Sequence, residues 1–317
     1  MNDPFKAMQS ALDLVSTSPH PSNKIAASLF GSKNNELVTR TNHWPEIIED
    51  HIGREIKIGN SSGTIHAETA CLVSADFPTE NASICITDPF CPNCAKNIAE
   101  AGIKNIYIDA RGFEKDFFKR RSGHFETMSM QVAERAGINV FSLDMNAKKQ
   151  NTILEIEENY TPNDDSPIEE KSLKSADEKN FQQAIIAADE KHKRRKYALA
   201  FVKDKEGKIY SLTARAHAVV GYSLQKPDEA IEVMRPIGKY SFIQEPVNRL
   251  LMHLARKGYT LIDDYLFCSQ VPTSREQVNL VGANIKRITI GNTQKSRDQF
   301  GRVAMKQLQE KQILNFN

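Results

Sequence analysis

The sequence predicts an α/β protein built on a mixed β-sheet with helices on both faces. Segments of helical and of strand periodicity alternate from Phe5 to Ser142 in the order αββαβαβαβ, and this alternation is typical of layered α/β folds. A similar order returns from Phe181 to the end of the chain at a nearly constant offset. Such self-similarity predicts an internal duplication of one scaffold.

The first half begins with an amphipathic helix followed by a hairpin. Apolar residues at helical spacing predict the helix, and two prolines within 16–22 end it. Gly102 and Gly137 stop two later helices. Residues 41–63 have little periodicity and predict a long loop. The predicted elements are the helix 5–15, the strands 24–30 and 36–40, the helix 65–75, the strand 83–87, the helix 92–101, the strand 104–108, the helix 125–136 and the strand 138–142.

A change of composition separates the two halves. Residues 146–180 are rich in Lys, Glu, Asp, Asn and Ser and contain two prolines, which predicts a charged, solvated linker that could hold a short helix. We therefore expect a first domain over 1–145, this linker, and a second, related domain over 181–317.

The second half repeats the order of the first. Its clearest local echo of the first half is residues 283–290, which resemble residues 101–108. The predicted elements are the helix 181–192, the strands 197–202 and 208–212, the helix 244–254, the strand 259–267, the helix 274–281, the strand 285–290, the helix 297–310 and the strand 313–316.

The composition excludes some classes of protein. The chain has 317 residues, enough for two domains, and its formal net charge of +2 argues mildly against a protein that coats nucleic acid. No apolar run approaches the roughly 20 residues that a membrane span needs, and the N-terminus lacks the pattern of a signal peptide. We therefore expect a cytoplasmic protein with no membrane partner.

One group of residues predicts a metal site. His66 is followed along the chain by the C-x-x-C pair Cys91 and Cys94, which opens a predicted helix. Two thiols three residues apart at a helix start lie on one face, and the positive end of the helix dipole favours the thiolate that binds zinc. Three protein ligands are typical of a catalytic Zn²⁺, because a structural zinc usually has four.

Glu68 lies two residues after His66 and is left for proton transfer. A carboxylate in this position can hydrogen-bond to a water molecule that zinc activates, take its proton and deliver it to the substrate. The H-x-E and C-x-x-C pattern is that of zinc deaminases. The main rival is a structural zinc with a fourth ligand such as His43, His51 or His124.

These residues resemble the cytidine deaminase-like superfamily, and most closely its deoxycytidylate deaminase branch. The stretches that carry the resemblance are 22–27, 40–45 and 91–104. The resemblance implies a three-layer αβα sandwich around a mixed five-stranded sheet, with zinc at the three ligands above and Glu68 as the proton shuttle.

The resemblance also implies where a substrate binds. Asn42 would contact the sugar of a nucleotide, and Ala67 and Phe90 are further predicted substrate contacts. Phe90 stands between Pro89 and Cys91, where the family usually has proline directly before the cysteine, so it could instead pack inward. Ala70 stands where deoxycytidylate deaminases often have asparagine.

The predicted function is zinc-dependent hydrolytic deamination of a cytosine-type nucleotide or nucleoside. Zinc-activated hydroxide would attack the ring carbon, and ammonia would leave. One alternative is a deaminase of a base in RNA or DNA, or of another aminopyrimidine or purine. A second alternative is a non-catalytic binding protein stabilised by zinc. Homo-oligomerisation is left open.

The second half lacks the metal ligands. We therefore expect no zinc there and a structural role for this domain. Aligning the repeat places Thr273, Glu276, Ile243, Glu245 and Ala214 near the positions of Cys91, Cys94, His66, Glu68 and Asn42, respectively. The basic segment 119–124 is predicted either to bind a substrate phosphate or to form a solvated turn.

Overall fold

Two six-stranded sheets form the framework of the chain, one in each half. The computed structural model describes residues 3–33, 36–54, 56–120, 123, 125–193, 195–226, 230 and 241–317. Both sheets are mixed, with helices packed on them, so the predicted α/β class is confirmed.

The first sheet has the strand order β2-β1-β5-β6-β7-β8. Strands β2, β1 and β5 run antiparallel, whereas β5, β6 and β7 run parallel, as expected where a helix connects successive strands. These strands are β1 (Ala26–Phe30), β2 (Leu37–Thr41), β5 (Ser83–Ile86), β6 (Asn105–Asp109), β7 (Asn139–Asp144) and β8 (Lys149–Leu154).

The helices of the first half begin close to where the sequence predicts them. Asp3 caps the first helix by accepting a hydrogen bond from the backbone N–H of Phe5. The predicted helix 125–136 begins with a π-helical turn over Phe125–Ser129. The helices are α1 (Pro4–Val15), α2 (Glu46–His51), α3 (Ala67–Val73), α4 (Pro92–Glu100), α5 (Asp116–Lys119) and α6 (Met130–Arg135), with a 3₁₀ turn at Ala110–Glu114.

The second sheet has the order β16-β15-β14-β10-β11-β9. Its strands are β9 (Ile168–Leu173), β10 (Tyr197–Lys203), β11 (Ile209–Arg215), β14 (Thr260–Cys268), β15 (Arg287–Ile290) and β16 (Asn315–Phe316). A separate two-stranded ladder is formed by β12 (His217–Ala218) and β13 (Ile243–Gln244). The helices are α7 (Glu178–His192), α8 (Pro246–Lys257), α9 (Ser274–Gly282) and α10 (Gln299–Glu310).

Five strands of each sheet share one topology, whereas the sixth, β8 or β9, lies at opposite edges of the two sheets. β10 pairs antiparallel with β11 and with β14, and β14, β15 and β16 run parallel, as their counterparts do in the first sheet. Helices α7, α8, α9 and α10 occupy the places in the chain order that α1, α3, α4 and α6 occupy in the first half. The scaffold is therefore duplicated, whereas the boundaries of two independent domains stay a prediction.

The segment 146–180 differs from the predicted linker. It contributes β8 to the edge of the first sheet and β9 to the edge of the second, through antiparallel ladders with β7 and β11. The segment therefore adds a sixth strand to each sheet, beyond the predicted five, and its role as a linker between two domains stays a prediction. Charged residues on edge strands are exposed to water, so a polar composition is compatible with pairing there.

The predicted loop over 41–63 also contains regular structure. It holds α2 and a small antiparallel hairpin of β3 (Lys57–Ile58) and β4 (Ser61–Ser62). Trp44 and Ile48 from this segment are buried in the core. The segment is thus anchored beside α3.

The two halves are joined by buried polar contacts between α4 and the second half. Arg249 of α8 donates to both carboxylate oxygens of Glu100 at 2.7 Å, and both residues are buried. Lys96 donates to the carbonyls of Ser241 and Ile243 at 2.9 and 3.1 Å, and burial lowers its pKa to about 8. One cluster of buried apolar side chains includes residues of both halves, so the halves share a continuous core.

Among the residues that the structure describes, no helix has the combination of length and apolar character needed to span a bilayer.

The Glu100–Arg249 ion pair predicts that the two halves depend on each other for stability. Removing one charge of a buried pair leaves the other uncompensated, which costs about 3–5 kcal/mol. We expect Glu100→Gln to lower the free energy of unfolding by that amount in urea denaturation. The matched control is Glu310→Gln in the exposed pair with Lys306, where the expected loss is below about 0.5 kcal/mol. Equal losses in the two variants would contradict this account of the interface.

Candidate metal centre

Two helices begin at the same point and bring the predicted metal ligands together. His66 is the N-cap of α3 and Cys91 is the N-cap of α4, so both residues have extended backbone and direct their side chains away from the helix body. Pro92 occupies the first position of α4, where its missing N–H is not needed. Cys94 lies in the first turn of the same helix, within reach of Cys91.

The spacing of the three ligand atoms suits a tetrahedral zinc ion. The His66 Nδ1 atom lies 3.6 Å from Cys91 Sγ and 3.3 Å from Cys94 Sγ, and the two sulfur atoms are 3.6 Å apart. Zinc bonds of ordinary length at tetrahedral angles require separations of about 3.6 Å between nitrogen and sulfur and about 3.8 Å between two sulfurs. The residues therefore fit the ion.

Only one of the two thiols has a lowered pKa. The Cys91 and Cys94 Sγ atoms lie 3.6 Å apart and share a hydrogen bond. This bond, together with the nearby His66, holds the pKa of the Cys91 thiol well below its ordinary value. The same hydrogen bond, together with burial, raises the pKa of the Cys94 thiol. Because a thiolate is the form that binds zinc, Cys91 is the thiol that supplies it more readily.

Glu68 lies next to the three ligands without belonging to them. It is in the first turn of α3 and only 4% exposed. Burial is the main cause that raises the pKa of its carboxyl group, and a hydrogen bond with Cys94 opposes that shift. A raised pKa makes the Glu68 carboxylate a stronger proton acceptor than an ordinary glutamate.

No fourth protein ligand accompanies the three among the residues that the structure describes. His43 bonds through Nδ1 to the carbonyl of Thr41 at 2.7 Å, and the His51 Nδ1 faces the carbonyl of Ile47. His124 lies outside the described residues. The described part of the site therefore favours a three-ligand centre over the structural-zinc alternative.

The side chain of Asn42 is already occupied by its own loop. Its Oδ1 accepts hydrogen bonds from Ser18 Oγ at 2.8 Å and from the backbone N–H of Ile25 at 2.9 Å, and its Nδ2 donates to the carbonyl of Asn23 at 2.8 Å. Asn42 therefore fixes the segment before β1 against the end of β2. Contact with a sugar stays a prediction.

Phe90 packs inward. It is 1% exposed and makes an edge-to-face contact with Phe125, with ring centroids 5.3 Å apart. Of the two alternatives for this aromatic, the structure favours a core residue that supports the strand leading to Cys91. Ala67 is buried at the first position of α3, and its predicted contact with substrate is not tested by this position.

The basic segment 119–124 is only partly described. Lys119 and Arg120 are exposed, and the Arg120 Nε atom donates to the carbonyl of Asp116. Arg121, Ser122 and His124 lie outside the described residues. The proposal of a phosphate contact here stays a prediction.

Residues of the second half support the site, and no sequence motif marks them. Half-buried Arg275 of α9 donates to the carbonyl of Thr64 at 2.6 Å, two residues before His66. Burial of its guanidinium lowers the pKa of Arg275, and the nearby Cys91 and Cys94 oppose that shift. Gln244 donates to Asn97 of α4 at 2.8 Å, and Asn97 donates to Thr69 of α3 at 3.0 Å. Because these contacts join distant parts of the chain, no local pattern could reveal them.

Strand pairing corrects the alignment of the two halves by two residues. The isolated bridge between His43 and Ile65 corresponds to the pair His217 and Gln244. Glu245, not Ile243, therefore takes the place of His66, since both are N-caps of equivalent helices. By the same register Val247 takes the place of Glu68, and Ala216, not Ala214, takes the place of Asn42.

The counterparts of the two cysteines form a helix cap. Thr273 is the N-cap of α9 and makes a reciprocal capping box with Glu276. The two residues therefore have the helix positions in α9 that Cys91 and Cys94 have in α4. Glu245, Thr273 and Glu276 thus replace the imidazole and the two thiols by two carboxylates and a hydroxyl group. Among the described residues, the His–Cys–Cys cluster is found in the first half.

The duplication predicts that metal binding depends on one half only. We expect the purified protein to carry one zinc per chain and Cys94→Ala to lose most of it, because two ligands hold zinc far more weakly than three. The matched control, Cys268→Ala, removes a buried cysteine of the second half and should keep its zinc. Metal analysis by inductively coupled plasma mass spectrometry decides the matter, and equal zinc contents in the two variants would refute the assignment.

Comparison with known proteins agrees with the site. Residues 1–110 match the family model of the cytidine and deoxycytidylate deaminase zinc-binding region. An uncharacterised deaminase encoded in the luxG 3′ region of Aliivibrio fischeri is 27% identical over 135 residues, which cover 42% of this chain and 88% of that protein.

Solved structures of dCMP deaminase from the cyanophage S-TIM5 are also similar. The complex with dCMP and dUMP has a TM-score of 0.34 and 21% identity, and covers 45% of this chain and 99% of that one. The apo form has a TM-score of 0.31 at the same identity and covers 45% of this chain. The family match and the relative show that the amino-terminal part of the chain is similar to the cytidine deaminase-like superfamily, near the deoxycytidylate deaminases, and the zinc-compatible cluster lies within the matched residues.

Proposed function

We propose that the chain is a zinc-dependent hydrolytic deaminase that acts on a cytosine-type nucleotide or nucleoside. The observation that carries the proposal is the position of Glu68, a buried carboxyl group beside a three-ligand cluster. A zinc that only stabilised the fold would need no such group. Burying a carboxyl group costs free energy, so its presence beside the ligands favours a role in the reaction.

His66, Cys91 and Cys94 would hold the zinc ion. When bound, zinc supplies a Lewis acid that lowers the pKa of a coordinated water towards roughly 7. Glu68 would take one proton from the attacking water and deliver it to the ring nitrogen next to the amine-bearing carbon, as the C–O bond forms. It would then carry the proton of the new hydroxyl group to the exocyclic amine, so that the C–N bond breaks, the carbonyl forms and ammonia leaves.

The surrounding residues hold Glu68 in place for both transfers. The bond from Asn97 to Thr69 fixes α3 against α4 immediately beyond Glu68. A proton carrier needs a fixed distance to both the water and the ring nitrogen. Hydrogen bonds between the helices, such as the one from Asn97 to Thr69, help to keep these distances fixed.

The choice of a cytosine-type substrate rests on the family that residues 1–110 match. Asn42 follows the end of β2 and Ala67 opens α3, both within the matched residues. We propose Asn42 as the contact for the sugar and Ala67 as the contact for the base. Ammonia release from dCMP, CMP, cytidine, cytosine, guanine and a single-stranded oligonucleotide would identify the substrate class. Turnover of the oligonucleotide alone would instead support action on a polynucleotide.

Substitution of Glu68 tests the chemistry directly. We expect Glu68→Gln to lower kcat by about 10²–10⁴-fold, the usual contribution of a general acid–base, because the amide cannot carry the proton. Zinc content should remain as in the natural protein. The matched control is Glu134→Gln on the exposed face of α6, which should leave kcat unchanged.

The same pair of variants tests the alternative of a binding protein. Full activity in Glu68→Gln would remove Glu68 from the mechanism. Absence of ammonia release by the zinc-loaded natural protein on every compound above would favour a zinc-stabilised binding protein.

A further inference from the structure

A second cavity lies in the second half, at the place that corresponds to the candidate metal centre. Its volume is about 690 Å³, which is within the range of small-molecule sites. By the register established above, Ala216, His217 and Glu245 in its wall correspond to Asn42, His43 and His66. The duplicated scaffold has thus kept a pocket where the first half has its metal ligands.

A lysine occupies the position of the metal ion in this second pocket. The Lys196 Nζ atom lies 2.8 Å from a carboxylate oxygen of Glu245 and 2.7 Å from one of Glu276, the counterparts of His66 and Cys94. The Lys196 side chain is 7% exposed, and that of Glu276 is completely buried. A fixed ammonium group therefore binds the residues that replaced the ligands, and it closes the place where zinc would sit.

The pocket has more cationic than anionic side chains. Four of its lining residues carry permanent positive charge and two carry carboxylates. The cations are Arg195, Lys196, Arg215 and Arg297, and the carboxylates are Asp165 and Glu245. Behind the wall, the buried Glu276 provides one more negative charge to Lys196.

The excess charge resides on two arginines. Arg297 pairs with Glu245, but neither Arg195 nor Arg215 has an ion-pair partner among the described residues. The guanidinium of Arg215 makes one long bond, of 3.4 Å, to the carbonyl of Ser166, and its buried Nε has no hydrogen-bond partner in the described part of the chain. A buried polar atom without a partner is rare in native proteins and indicates a missing ligand or solvent molecule.

The carboxylate of Asp165 is not available to neutralise these arginines. It accepts hydrogen bonds from Ser223 Oγ at 2.8 Å and from the backbone N–H of Leu224 at 2.9 Å, and lies 3.5 Å from His217 Nε2. Asp165 thus fixes the wall of the pocket while the arginines remain free to bind an anion.

We propose that this pocket is a second binding site, for a small organic phosphate, separate from the deaminase centre. Guanidinium groups match the oxygen geometry of phosphate and bind it with paired, charge-assisted hydrogen bonds. Lys196 and its partners Glu245 and Glu276 form the floor of the pocket and leave no place for a metal ion. The site therefore binds the phosphate without hydrolysing it.

The experiment is calorimetric titration of the full-length, zinc-loaded protein with ribose 5-phosphate, which carries a phosphate but no base. The variants are Arg195→Gln, Arg215→Gln and the control Arg302→Gln, an exposed arginine of α10 outside the pocket. We expect one binding event per chain in the natural protein and in the control. Each pocket variant should weaken binding at least about tenfold, the usual effect of losing a hydrogen bond to a charged group. Deamination without added phosphate should stay unchanged.

Two results would overturn the proposal. One is the absence of binding by the natural protein at millimolar ribose 5-phosphate, and the other is equal affinity in the pocket variants and the control. Because Arg195 is exposed, its substitution leaves folding intact and decides the question even if Arg215→Gln fails to fold. The proposal does not depend on the deaminase assignment, since its readout is affinity and not turnover.

Discussion

The structure of the first half depends on one constraint, the meeting of two helix N-termini. An imidazole and two thiols must come within about 4 Å of one another to hold a zinc ion, and the three ligand atoms here lie 3.3 to 3.6 Å apart. Helix α4 follows β5 of the first sheet, whereas α3 follows the β3–β4 hairpin, and the bridge between His43 and Ile65 ties its start to the end of β2. Neighbouring contacts then hold the helices in register, chiefly the bond from Asn97 to Thr69.

The second half explains how this arrangement is kept rigid. Helix α8 packs against α3 and α4, and its Arg249 binds Glu100 at the far end of α4. Arg275 reaches the segment just before His66. The duplicated scaffold thus serves as a wall of the candidate centre. In the second half, the ammonium group of Lys196 neutralises Glu245 and Glu276, the carboxylates at the positions of the metal ligands. This ion pairing gives a physical reason why the second half can fold without metal.

Much of this could be read from the sequence. Periodicity located the main helices and strands, and the H-x-E and C-x-x-C pattern identified the residues that the structure brings together, because both signals are local. The edge strands within 146–180 were missed, since exposed edge strands need no apolar alternation. The two-residue error in aligning Glu245 with Glu68 arose because the halves share few residues, and only strand pairing fixes the register. Arg275 and the inward packing of Phe90 depend on tertiary contacts that no short pattern encodes.

The central claim is that zinc is held by three protein ligands and keeps one position for a water molecule. X-ray absorption spectroscopy at the zinc edge of the full-length protein tests it most directly. The account predicts two sulfur neighbours at about 2.3 Å, two nitrogen or oxygen neighbours at about 2.0–2.1 Å, and the scattering signature of one imidazole. A signature of two imidazoles, or of a third sulfur, would show a closed structural site and contradict the proposed chemistry.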